Sequence, residues 1–477
     1  MPRSLRDLLR WLVVLVSVLL PAIAPLPAAS RPNIIVIFTD DQAYGDLGVY
    51  GSPNLRTPRI DRMATEGLRF TDFYVSTSVC SASRASLLTG RYPDRNGTHG
   101  VYFPGDTGLS YQETTIATML RSQGYATACF GKWHLGDQPR SLPTQRGFDQ
   151  YWGIPYSNDM FIGPNQPIAS DALFREGHDR ASTQADIDFV RDHLKDRPAI
   201  FQRGLKHRVP IMANGSIVEY PADQATLTRR YFDHAIAFID DATAFDHPFF
   251  VYLTPSMPHV PLFASPDFDG VSLGGRFGDT IEEIDAQVGR LLDHLDQTGL
   301  SENTLIVFTT DNGPWLNKGD DAGSAGPLRD GKFSSYEGGL RVPAIMRWTG
   351  TIPAGATSHE IGATIDLLPT FSALTGAPLP PAPLDGVSLQ AHLLNPANPV
   401  PRAGYFYYKN GRPVGVRHGL WKYLPHGGAG SIKTTTPAEL YNLGTDISET
   451  RNVVSREPAI AASLAQLIEQ QIARLAE

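Results

Sequence analysis

The chain has 477 residues, with 41 Lys+Arg against 49 Asp+Glu, 42% hydrophobic residues and 2 Cys, which is ample for a large core and excludes a disulfide scaffold. Charged residues at 19%, aromatics at 10%, 44 Gly and 38 Pro describe a loop-rich globular protein, not a disordered, collagenous or coiled-coil one. A formal charge of -8 offers no basic footprint for nucleic acid, so an anionic substrate requires a local cationic pocket.

Arg3, Arg6 and Arg10 precede an apolar run from Trp11 to Leu20, followed by Pro21 and small residues up to Ala28-Ala29-Ser30. This layout reads as a secretory signal over residues 1–29. The run is shorter than the roughly 20 apolar residues a bilayer needs. The expectation is an exported protein, periplasmic or secreted, with no stable membrane span once the signal is cleaved.

From Arg31 onward short apolar runs alternate with helical patterns, which predicts an α/β fold: a large, mostly parallel mixed sheet sandwiched by helices. Ile34 to Phe38 is a continuous β-branched run and reads as a buried central strand. Thr57-Pro58 marks a helix start, with Ile60, Met63 and Ala64 at helical spacing up to Gly67. Leu68 to Val75 reads as a strand. Ser83 to Thr89 before Gly90, and Thr115 to Ser122 before Gly124, read as short helices with a C-terminal glycine. Tyr125 to Phe130, Phe249 to Leu253, Leu305 to Thr309 and Val342 to Arg347 are further strands, and Ile281 to Leu295 carries a clear helical period. Residues 159–221 read as an irregular stretch on the rim of the site. The proline-dense segment from Leu379 to Pro383 marks a boundary between a large α/β domain over residues 30–380 and a small α+β domain over residues 381–477. In the latter, Tyr405 to Tyr408, Val414 to Arg417 and Trp421 to Leu424 read as antiparallel strands with tight turns, and Pro458 to Leu475 as a closing helix.

Ligands of open α/β sheets sit outside the carboxyl ends of the strands. Asp40-Asp41 follow the first strand, Lys132 and His134 the third, His259 the fourth and Asp311-Asn312 the fifth. Taken singly, each has a plain reading as a turn, a cap, a solvated charge or a packed ring. Taken together they collect carboxylates, imidazoles and an ammonium on one rim. Asp40, Asp41, Asp311 and Asn312 are all oxygen donors, which suits a hard divalent cation, Ca²⁺ or alternatively Mg²⁺. Cys80 at the mouth of a short helix gains a positive dipole end and the cation of Arg84. Two cysteines in an exported protein also permit a Cys80–Cys129 disulfide.

Cys80-Ser81-Ala82-Ser83-Arg84, continuing to Thr89-Gly90-Arg91, resembles the signature of the type I sulfatases, formylglycine enzymes of the alkaline phosphatase-like superfamily. The resemblance runs through Thr39-Asp40-Asp41-Gln42, Gly131-Lys132-Trp133-His134, Pro258-His259, Asp311-Asn312-Gly313, Gly331-Lys332 and Glu439-Leu440-Tyr441-Asn442-Leu443. Gly153-Ile154-Pro155-Tyr156-Ser157 is similar to the arylsulfatase A-like subgroup. Ala82 stands where the family often has Pro.

The resemblance implies a sulfuric ester hydrolase acting on small-molecule or glycan sulfate esters, with a sulfated carbohydrate or sulfolipid as natural substrate. It implies that a maturation enzyme oxidises Cys80 to formylglycine, that Cys80 in this form joins Asp40, Asp41, Asp311 and Asn312 at the metal, and that its hydrate attacks sulfur to give a covalent sulfate ester. It further implies that Lys132 and Lys332 hold sulfate oxygens, His259 serves the leaving oxygen, His134 takes a proton, Arg84 braces the nucleophile and Ser157 lines the substrate site. The motif around Cys80 speaks against the disulfide and leaves Cys129 a buried strand cysteine. Rival readings are a phosphonate monoester or phosphodiester hydrolase with the same machinery, and a non-catalytic glycan-binding protein with unconverted Cys80.

Overall fold

The computed structural model describes residues 31–428 and 436–475; the predicted signal over residues 1–29 lies outside them. The strands are β1 (Asn33–Thr39), β2 (Leu68–Tyr74), β3 (Ala126–Gly131), β4 (Gln150–Gly153), β5 (Ile168–Phe174), β6 (Ile211–Ala213), β7 (Ser216–Tyr220) and β8 (Phe249–Thr254). They continue with β9 (Thr304–Thr310), β10 (Arg341–Arg347), β11 (Ala356–Ser358), β12 (Gly362–Ala363), β13 (Tyr405–Lys409), β14 (Arg412–His418), β15 (Trp421–Leu424) and β16 (Glu439–Asn442).

The first twelve form one sheet in the order β11-β2-β10-β9-β1-β8-β3-β4-β6-β7-β5, with β12 also on β2. Its centre, β9-β1-β8-β3-β4, is parallel, and β10 runs antiparallel between β9 and β2. The seven residues of β1 are all buried, and their alternation serves two cores. Ile34, Val36 and Phe38 pack with Leu87, Leu88, Ile116, Leu368 and Phe371 on one face. Ile35 and Ile37 pack with Ile60, Phe232, Ile239, Ile284, Val288 and Leu292 on the other. The helix predicted around Ile281 to Leu295 spans Gly275–Gln297. Its apolar residues face the sheet as their spacing requires.

The stretch over residues 159–221 is not irregular. It holds β5, β6 and β7 together with helices Arg180–Asp192 and Arg197–Gln202, the first of them opened by a capping box between Asp179 and Ser182. Its strands add to the flank of the sheet, where no residue of β5 is fully buried, so the period-two burial that reveals a strand is weak there. Thr57 sits at the predicted N-cap position of helix Pro58–Thr65, but its hydroxyl accepts from Gly48 N–H and donates to Asp61 instead of capping.

A second, antiparallel sheet runs β13-β14-β15-β16. Asn410 and Gly411 join β13 to β14 with φ of 48° and 72°, the double left-handed turn that fits hairpin twist. Helix Pro458–Leu475 closes this sheet through Ala461, Leu464 and Ile468 against Val416 and Leu440.

Candidate active site

Register brings the central strands to a common edge. Thr39 lies opposite Thr310, Ile37 opposite Leu253 and Gly131 opposite Thr254, so Asp311 after β9, Asp40 after β1 and, beyond the intervening β8, Lys132 after β3 leave the sheet at nearly the same level. Gly131 has a φ of 122°, and a Cβ there would stand 2.0 Å from the carbonyl oxygen of Thr254. Only glycine allows this close approach, from which the chain turns into Lys132.

Asp41 and His134 both adopt left-handed backbone, with φ of 60° and 57°, a cost tolerated mostly where function needs the side chain re-aimed. Asp41 accepts from Lys332 Nζ at 2.6 Å and from Asn312 Nδ2 at 2.7 Å, and its own N–H donates to Asp311 Oδ1 at 3.2 Å. Lys132 Nζ pairs with Asp40 and lies 3.3 Å from Ser157 Oγ. Ser157 Oγ is 3.4 Å from His259 Nδ1, and His259 Nε2 is 3.7 Å from Asp41 Oδ2. Asp40, Asp41, Lys132, Ser157, His259, Asp311, Asn312 and Lys332, drawn from strand ends and loops far apart in the chain, thus form one connected set.

Arg84 is wholly buried and turned toward the carboxylates, 2.8 Å from Asp311, 3.6 Å from Asp40 and 3.1 Å from the Lys132 carbonyl. Cys80 is the first residue of helix Cys80–Thr89, three residues earlier than the spacing suggested. All ten of that helix's residues are buried, so no apolar stripe marks its start. The expected thiolate-favouring environment is not what the folded chain provides. Burial pushes the Cys80 thiol up to about 11, although Lys132 and Lys332 pull the other way. The alternative disulfide is absent: Cys80 and Cys129 are both free and buried.

Electrostatics separate the two imidazoles' surroundings. His134 is driven well below its ordinary value by burial and then by Lys132 and Arg84. Its Nε2 lies 3.0 Å from the Tyr102 carbonyl and therefore carries the hydrogen, while buried Nδ1 has no partner and presents a lone pair. His259 is lowered by burial, with Asp41 and Asp40 opposing. Its Nδ1 faces Asn158 Oδ1 at 3.1 Å and the Val260 carbonyl at 2.6 Å, which makes Nδ1 a donor. Burial works to raise Asp40, but Lys132, His259, Arg84 and Lys332 hold it low. Burial and then Asp40 push Asp311 up to about 7.

Asp40 Oδ1, Asp41 Oδ2 and Asn312 Oδ1 are buried without a hydrogen-bond partner. Three orphaned buried oxygen acceptors cost free energy unless a cation takes them up, and oxygen donors suit a hard divalent ion. Atoms of Asp40, Asp41 and His259 lie within 4.8 Å of one another in a cluster able to hold a metal. The residues fit such an ion.

A family model described as Sulfatase matches residues 32–377. The chain belongs to the sulfatase family. This sulfatase is 40% identical over 479 residues to arylsulfatase A of Homo sapiens, covering 94% of this chain and 90% of that protein. It is 36% identical over 425 residues to N-acetylgalactosamine-6-sulfatase of Rattus norvegicus, covering 85% and 72%. Among solved structures, Ps i-CgsB in complex with k-i-k-neocarrahexaose superposes with a TM-score of 0.73 at 30% identity, covering 92% of both chains. PsFucS1 sulfatase from Pseudoalteromonas sp. does so at 0.78 and 26%, covering 99% and 95%. The sulfatase is an arylsulfatase A-like sulfuric ester hydrolase with the alkaline phosphatase-like fold. No helix of its described residues is long and apolar enough to cross a membrane.

Sequence reasoning missed four contributors. Asn158 donates to the Pro261 carbonyl at 2.9 Å while meeting His259 Nδ1, so it orients that ring; its place beside Ser157 was the available signal. The Tyr102 carbonyl fixes the His134 tautomer, which no side-chain motif reveals. Trp315 and Phe333 stand against His259 and Lys332, and isolated loop aromatics carry no periodicity.

Proposed function

We propose that this sulfatase cleaves sulfate monoesters with residue 80 as nucleophile, after a maturation enzyme has converted Cys80 to formylglycine. Residues 30–380 act as the catalytic domain and residues 381–477 as a small C-terminal domain. The observation that carries this reading is the buried, connected set in which Lys132 pairs with Asp40, Lys332 with Asp41, and Arg84, on the helix that Cys80 opens, with Asp311. Formylglycine supplies a carbonyl that water adds to, giving one hydroxyl to attack sulfur and a second through which sulfate is later expelled. Asp40, Asp41, Asp311 and Asn312 would hold Ca²⁺, with Mg²⁺ the alternative, and such an ion would supply Lewis-acid charge.

The rest is done by this chain's own groups. Lys132 and Lys332 hold sulfate oxygens as charge shifts during sulfuryl transfer, which asks of a protein mostly positioning and charge stabilisation. Attack forms one S–O bond and breaks another, and the departing alcohol or phenol oxygen takes its proton from Nε2 of His259 in the cationic form, the Nδ1–H staying on Asn158 and the Val260 carbonyl. His134, neutral with its lone pair at Nδ1, accepts the proton released when sulfate departs. Arg84 holds Asp311 and the Lys132 backbone in place, and Ser157 lines the substrate site between Lys132 and His259.

A sulfated carbohydrate or sulfolipid is the natural substrate class, and the protein works after export, in the periplasm or outside the cell. Relatives named as sulfatases at 36–40% identity favour sulfate over phosphonate or phosphodiester. The test is peptide mass at Cys80 in exported, active protein together with free-sulfate release. A mass change from CH₂SH to CHO, with turnover abolished in Cys80→Ala, is expected; full activity with an ordinary thiol at residue 80 overturns the proposal.

A further inference from the structure

The loop that carries Lys332 is held in a strained form. Asp330 and Phe333, on either side of Gly331-Lys332, both adopt left-handed backbone, with φ of 60° and 73°, and for a bulky residue such as Phe333 that conformation is a genuine outlier. Strain of this kind persists only where surrounding contacts over-determine it. Lys332 N–H donates to the Pro314 carbonyl at 2.9 Å and Phe333 N–H to the Ser78 carbonyl at 3.0 Å. The Ser78 hydroxyl in turn donates to the Ser334 carbonyl at 2.8 Å.

Ser78 therefore grips the loop twice, once through its backbone and once through its side chain. It is buried, and only Val79, extended with φ of -151° and ψ of 135°, separates it from Cys80 at the start of its helix. β13 braces the same junction from the small sheet. Tyr408 pairs with Thr77, and Lys409 Nζ donates to the Phe333 carbonyl at 2.7 Å. The register of the large sheet does not set the separation of residue 80 from Lys332, because Cys80 lies beyond the end of β2 and Lys332 well ahead of β10. The contacts through Ser78 do.

A lysine stem is long and flexible, so the resting place of its ammonium depends on where its backbone starts. In the reaction assigned above, that ammonium holds an oxygen of the sulfuryl group that residue 80 approaches, and a misplacement of about 1 Å costs about a hundredfold in rate. We propose that Ser78 is a positioning residue for sulfuryl transfer: its two bonds to the Lys332 loop fix Lys332 relative to residue 80, and Lys409 braces that clamp from the small sheet. This rests on the roles given to Lys332 and residue 80 above. The Ser78 hydroxyl acts through the loop and touches no substrate atom.

The experiment measures kcat/KM for 4-nitrophenyl sulfate in wild type, Ser78→Ala and Lys409→Met, and repeats both substitutions in a Lys332→Ala background. Rates are divided by the formylglycine content of residue 80, read by peptide mass, because Ser78 lies beside the maturation motif. Ser78→Ala is expected to lower kcat/KM about fivefold to tenfold with Lys332 present and by less than about twofold in Lys332→Ala, since the two residues share one effect. Lys409→Met is expected to follow the same pattern with a smaller loss, and it decides the matter if Ser78→Ala does not fold. Unchanged kcat/KM in the single variants, or an equal fold loss in both backgrounds, which a merely structural role produces, overturns the proposal. A Lys332→Ala enzyme as active as wild type overturns instead the assignment of Lys332 on which it rests.

Discussion

Lys422 on β15 and Glu337, just ahead of β10, are both fully buried and lie 3.0 Å apart. Lys422 also meets Glu449 at 2.8 Å, and Glu449 accepts from the Glu337 N–H at 2.7 Å. Glu337 further accepts from Tyr74 and from Tyr407, the latter at 2.7 Å. Tyr74 belongs to the large sheet, and Tyr407 and Lys422 to the small one. A buried network of charges, which Arg341 and Arg417 extend from Glu337 to Asp72, thus ties the two sheets together close behind the loop that carries Lys332.

Removing one partner leaves buried charge uncompensated. Lys422→Met is expected to destabilise the fold by about 3–5 kcal/mol, read as a lowered urea midpoint. The double variant Lys422→Met with Glu449→Gln should recover part of the loss, because the two residues share one interaction.

Lys332 neutralises Asp41, and burial fails to lower it because Asp41 and the surrounding acids hold its proton firmly. Lys332→Ala should cut kcat for 4-nitrophenyl sulfate by about 10²–10³-fold, the usual price of deleting one preorganised charge at a developing anion. Circular dichroism should show the fold retained.

Cation removal should act on rate and stability together. Exhaustive chelation is expected to abolish turnover and lower Tm, since an ion at a hundredfold above its Kd stabilises the native state by about 2.7 kcal/mol. Ca²⁺ should restore both. Asp311→Ala should raise the cation concentration needed for half-activity, measured by titration of the chelated enzyme.

Asp137 provides a pH test away from the site. Burial pushes its carboxyl from an ordinary 3.8 up to about 7, against an opposing bond from the Gly105 N–H. Between those values the folded chain keeps a proton that the unfolded chain has released. Stability from this group is therefore present at the acid end and is lost as pH rises, by up to about 1.4 kcal/mol per pH unit. Urea denaturation of wild type and Asp137→Asn across that range should give curves that differ in slope, with the variant flatter.

The centre of the fold was legible because β1, β3, β8 and β9 are unbroken apolar runs, each leading into conspicuous polar residues. The small sheet was legible through its Asn-Gly turn. Exposed edge strands such as β5 and short ones such as β6 escaped, since neither continuous burial nor clean alternation marks them. The site's residue types could be collected from strand ends, but their pairing could not. That Arg84 turns to Asp311, or that burial lifts the Cys80 thiol, depends on packing from distant segments. The Glu337, Lys422 and Glu449 cluster spans 112 residues between its two acids, and no local spacing announces it.

β1 is the first strand in the chain, yet it lies mid-sheet, hydrogen-bonded on one side to β8 and on the other to β9. During synthesis an intensely apolar segment emerges at once, while its two neighbours arrive more than two hundred residues later. Until then it is an open β-edge with no companion, the sort of surface that recruits other chains. The growing polypeptide must be shielded over that whole interval, so yield on expression is expected to respond to chaperone supply more sharply than the robustness of the finished fold would suggest.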